Sequence, residues 1–145
     1  MDAKQFADEI VEPTITDFER EPSSRRRAFL ACAATFHLID YLALPAKPRT
    51  LRQKYQLECR AFAAVDRYTH TFKHGKTGHP DDPLIQPLKP EQVFERPAGR
   101  AGVMRAGVSR LGDTTGGVSV AGEDVPDLLD DVKKAATFLR SKLPP

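Results

Sequence analysis

The stretch AVDRYTHTFKHGKTG at 64–78 holds the side chains of this sequence best suited to chemistry. At about 100° per residue, a helix here places Phe62, Val65, Thr69 and Phe72 on one side, the expected core face. Arg67, His70 and His74 fall on the opposite, solvent-facing side, spaced three and four residues apart. Lys73 lies beside them and Lys76 just past the expected helix end. A guanidinium offers paired donors to a phosphate, and an imidazole with a near-neutral pKa can move a proton. Arg67, His70 and His74 are therefore the candidate catalytic residues. Lys73 and Lys76 are candidate nucleic-acid contacts.

Arg67 and His74 also satisfy the R-x(4–6)-H spacing, with six residues between them. In this the segment 24–79 resembles the HEPN superfamily of small helical proteins, many of which are metal-independent endoribonucleases of toxin–antitoxin and phage-defence systems. The resemblance implies a compact helical bundle that binds or cleaves RNA. It implies Arg67 as phosphate ligand and transition-state stabiliser, and His74 as the acid/base at a 2′-hydroxyl. It further implies a homodimer, because HEPN sites are usually composite. The sequence departs from the family in having Tyr68 after the arginine and in continuing well beyond the motif.

Three other groups bear on function. His37 and Asp40 stand i,i+3 in a stretch that is apolar almost all round, so an at least half-buried structural pair is expected. With His70 and His74 they could make a metal set, but the HExxH glutamate is missing and His70 and His74 point away from the expected core. No metal and no cofactor is assigned. Arg25, Arg26 and Arg27 open a helix, where the dipole is positive, so each wants an anion: Glu19 and Glu21 nearby, or a nucleic-acid phosphate. Gly116 and Gly117 lack the GxxxxGK[ST] spacing of a phosphate loop. Cys32 and Cys59 fit neither CxxC nor Cys/His zinc spacing and read as free thiols of a reducing cytoplasm.

The elements that must position these groups follow from periodicity and punctuation. A broken, acidic first helix carries Phe6, Ile10, Val11, Ile15 and Phe18, interrupted by Pro13. Ser23 and Ser24 suit the cap of a central, largely buried helix over 25–44, closed by Pro45 and Pro48. A third helical stretch spans 50–74, with a break near Cys59, and Gly75, Gly78 and Pro80 close it. The proline-rich connection 80–100 reads as irregular. Val103, Val108, Val118 and Val120 around DTTGG predict a β-hairpin at 101–122. Val125, Leu128, Leu129, Val132, Ala136, Leu139 and Leu143 predict a last helix over 124–143. No internal repeat is read. The expected fold is mainly α, one domain: a helical bundle with a small β-hairpin inserted before the C-terminal helix.

Composition sets the frame. With 145 residues, 40% hydrophobic and 29% charged, the chain can bury a core and carries no apolar run of membrane-spanning length. The acidic amino terminus lacks a basic, then apolar, leader. The net charge of +2 is unevenly spread: residues 1–24 hold seven acids and two bases, residues 25–79 three acids and eleven bases. Either the acidic ends fold over the basic middle, or the middle meets an anion. Two functions follow. One is an RNA-binding or RNA-cleaving domain of HEPN type. The other is a non-catalytic interaction or assembly module that grips a protein partner through the hairpin and the proline-rich segment.

Overall fold

A computed structural model describes residues 1–74, 88–120 and 127–144, the side chain of His74 excepted. Gly75, Lys76, Gly78, Pro80, Pro83 and Pro87 lie outside the described residues, as do Asp124, Val125 and Pro126. The architecture is mainly α, with one antiparallel strand pair before the C-terminal helix.

The chain starts with a capping box at Asp2 and Gln5 that opens α1 (Ala3–Phe6). Pro13 cannot donate a backbone hydrogen bond and crowds the carbonyl four residues back. The helical run absorbs it by widening to a π-turn at Ala7–Val11 before resuming as α2 (Glu12–Arg20). The proline thus changes the hydrogen-bonding pattern instead of breaking the rod. Ser24 caps α3 (Arg25–Ala43) through its hydroxyl to the Arg27 amide. As expected, α3 is central: it packs against α1, α2, α4, α5 and α6, burying Ala28, Ala31, Cys32, Thr35, Leu38 and Ile39.

The third helical stretch is two helices, α4 (Pro48–Glu58) and α5 (Arg60–His74), hinged at Cys59, whose φ of −137° and ψ of 103° are extended. The final helix, α6 (Leu128–Arg140), buries Leu128, Val132, Ala135, Ala136 and Leu139 against α5 and α3. Fully burying a side chain such as Leu139 is worth about 2 kcal/mol. Among the described residues no helix is long and apolar enough to cross a membrane.

The strands differ from expectation. β1 is Val93–Arg96, inside the segment read as irregular, and it pairs with β2 (Gly117–Val120). Val103 and Val108 are not in a strand. β1 is favoured because it buries Val93 and Arg96 together, and Arg96, 2% exposed, finds the carboxylates of Asp113 and Asp127. The ion pairs tie the strand pair to the start of α6.

Between the strands, residues 97–116 are neither strand nor featureless. The carbonyls of Arg100, Arg105 and Arg110 accept from the amides of Val103, Val108 and Asp113 at 3.2 Å each. Gly102, Gly107 and Gly112 occupy the third position of each turn, at φ of +81°, +74° and +82°, which a type II turn requires of that position. These are three copies of one five-residue unit, RAGVM, RAGVS and RLGDT, so the chain does contain a short internal repeat.

Candidate functional site

Helix α5 keeps its expected core face: Phe62, Val65 and Thr69 are buried, and Phe72 tilts against Phe29 at 5.3 Å. Its other side is not the open flank the helical wheel suggests. Asp66 (1% exposed), Tyr68 and Thr71 are buried as well, because α4 and α6 pack where solvent was expected. Arg67 is half-buried, with its Nε shielded from solvent. His70 turns back along the helix instead of outward.

The polar centre is therefore Asp66. Arg52 of α4 donates from Nε to Oδ2 at 2.7 Å, and the Gln56 amide donates to the same oxygen. His70 Nδ1 sits 2.8 Å from Oδ1 and 2.9 Å from the Asp66 carbonyl. The carboxylate acts on the ring first through this short side-chain contact, with the carbonyl bond and the carboxylate charge adding to it. Both groups facing Nδ1 are acceptors, so Nδ1 carries a proton and Nε2 is the nitrogen that titrates. The Asp66 side chain raises the His70 pKa above 6.5, against the opposing pull of desolvation and of the Arg52 charge.

Phe36 of α3 closes the cluster. The Arg52 guanidinium lies 5.4 Å over its ring, and the His70 imidazole meets it edge-on at 5.2 Å. His70 keeps 28% of its side chain exposed, enough to reach a ligand at the surface.

The remaining expectations divide. His37 and Asp40 do pair, at 2.8 Å, but about half of each side chain is exposed, so the pair lies on the surface. Arg25 bonds the Pro90 carbonyl, and Arg27 bonds the Asp17 carbonyl and the Glu21 carboxylate, so both are engaged within the fold. Arg26 is exposed and lines an open groove of about 560 Å³ between α1–α2 and α3, floored by Phe6, Ile10, Leu30 and Ala34. Lys73 is exposed. The side chain of His74 and all of Lys76 lie outside the described residues. Among the described residues no three His, Cys, Asp or Glu side chains gather as a metal site would need.

Sequence reasoning missed Asp66, Arg52 and Gln56. The i,i+4 spacing of Asp66 and His70 was the available signal for the first. Nothing local announces Arg52, which reaches Asp66 across 14 residues. Cys32 is inert: burial, then the Asp131 charge, push its thiol pKa far up. Comparison with family models, curated proteins and solved structures finds no match to this chain.

Proposed function

We propose that the protein binds RNA at the α4–α5 face and cleaves it without a metal, with His70 as the proton-transferring group. The observation that supports this reading is the imidazole set against the buried Asp66, which raises its pKa, with 28% of the His70 side chain exposed. Asp66 is then a positioning residue. Arg67 and His74, which meet the HEPN spacing, act on the phosphate and as a further acid/base on the same helix, with Lys73, Lys76 and Arg26 as outlying contacts to the backbone. In the reaction a 2′-hydroxyl loses its proton to the base and attacks the adjacent phosphorus. The bond to the 5′-oxygen breaks, that oxygen takes up a proton, and a 2′,3′-cyclic phosphate remains. The reading carries a homodimer joined through α5 and a cytoplasmic setting, which suits two free cysteines.

The test is incubation of single-stranded and structured RNA with the native chain, His70→Ala and His74→Ala in EDTA. Cyclic-phosphate ends are expected from the native chain, with a loss of about 10²–10⁴-fold in the His70 variant. Cutting that is unchanged in both variants overturns the assignment.

A second reading rests on the groove between α1–α2 and α3. Its apolar floor and its rim of Arg20, Arg26 and His37 suit a non-catalytic module that docks a protein partner. In that case Leu30→Glu abolishes partner capture and His70→Ala leaves it intact.

A further inference from the structure

The repeated turns between β1 and β2 carry three arginines at a five-residue interval. Each unit begins with an arginine, and Arg100, Arg105 and Arg110 are all exposed. Residues 98–112 contain three arginines and no acid. No carboxylate among the described residues lies within ion-pair distance of Arg100 or Arg105.

The loop is held at its base. The Asp113 carboxylate meets Arg96 and accepts from the amides of Thr115 (3.0 Å) and Gly116 (2.9 Å). The Gly99 amide donates to the Asp113 carbonyl at 2.7 Å, and a Cβ on Gly99 would lie 1.8 Å from the Arg110 carbonyl oxygen, so the two arms of the loop touch there. Beyond this latch the successive turns repeat the same bonds. The Arg100 carbonyl also accepts from Met104 (3.0 Å), the Arg105 carbonyl from Ser109 (2.9 Å), and the Ser109 hydroxyl from the Arg105 amide (2.9 Å).

We infer that this loop is a binding comb for a single nucleic-acid strand, its arginines engaging successive regions of the phosphate backbone. Two features favour that occupant, and a third sets its specificity. Every cation is an arginine, whose planar fork pairs with phosphate oxygens. The cations recur at a fixed interval, as charge does on a linear polyanion. The surface between them is small or aliphatic, with Val103, Met104 and Leu111 exposed and no aromatic ring or base-reading amide, so binding is insensitive to sequence. The inference takes from the proposed function only the class of ligand, and binding does not require that His70 be catalytic.

The experiment is fluorescence anisotropy of an unstructured 20-nucleotide RNA, titrated with the full chain carrying His70→Ala, at salt from 50 to 200 mM. The loss of binding on removing the loop arginines in this variant reads the comb, while cleavage by the native chain reads the proposed function, so either fails independently. Arg100→Ala with Arg105→Ala is expected to weaken binding about tenfold at 50 mM salt and to flatten the log–log salt slope by about 1.4, or 0.7 per phosphate lost. Gly102→Ala with Gly107→Ala keeps every charge, and the new methyls meet nothing within 4 Å, so it perturbs only the turns. A loss of at least about threefold is expected from the disturbed presentation. Absent binding, unchanged affinity in either double variant, or binding to phosphatidylserine vesicles in preference to RNA overturns the proposal.

Discussion

Asp66 shows how one residue's surroundings redefine its neighbours. Alone it is an ordinary helical acid; enclosed by α4 and α5 it must be satisfied, and Arg52, Gln56 and His70 converge on it. Because it raises the His70 pKa, protonated His70 stabilises the fold fully below pH 6.5, and that contribution is lost as pH rises through the elevated pKa. Thermal denaturation of native and Asp66→Asn chains from pH 5.5 to 8.5 should therefore show a steeper decline for the native chain, and NMR titration should find the His70 pKa lower in the variant. Equal pH dependence would mean the Asp66 carboxylate does not act on the ring. The two thiols give a second contrast. Cys59, partly buried at the α4–α5 hinge, should react with a thiol reagent faster than the molecule unfolds, whereas Cys32 should react only as fast as it unfolds.

At the scale of elements, the β1–β2 pair and the start of α6 stand on one buried arginine. Removing Arg96 leaves Asp113 and Asp127 facing each other without their cation, and Arg96→Ala should cost about 3 kcal/mol in urea denaturation. Gly117→Ala tests the same cluster from the backbone side. Its Cβ would stand 2.4 Å from Asp127 Oδ1 and 2.7 Å from Arg96 Nη2, so a loss of about 2 kcal/mol is expected. A variant as stable as the native chain would show that the cluster yields freely. The helices around this cluster were legible beforehand, because Ser24, Pro45, Cys59 and the apolar period mark their limits. The first strand was not. Val93–Arg96 holds too few apolar residues to announce itself, and its arginine becomes a core residue only when two distant carboxylates arrive. The five-residue repeat, by contrast, was fully present in the sequence; its period is neither that of a helix nor that of a strand.

Across the whole molecule, the charge imbalance resolves differently from the simplest pairing. The acids of the first twenty residues meet mainly the last helix: Lys133 bonds Glu19 at 2.7 Å, and Arg140 bonds Asp8 at 2.7 Å and Glu12 at 3.2 Å. Lys142 reaches Glu58 at 3.2 Å, and of the arginine triplet Arg27 takes Glu21. These exposed pairs are worth about 0.2–1 kcal/mol each. Arg140→Ala should thus lower stability by about 1 kcal/mol at low salt, and the difference should shrink toward zero near 1 M salt. A loss independent of salt would assign the effect to packing of the arginine stem.

The sequence by itself determined the helices, their order and which face of each is apolar, since these follow from periods and caps that act over a few residues. It also determined that Arg67 and His70 share one side of α5. Only the tertiary structure decided that this side is enclosed by α4 and α6, that Asp66 organises it, and that Arg96 is buried. Those outcomes depend on which groups from distant segments arrive to neutralise a charge taken out of water.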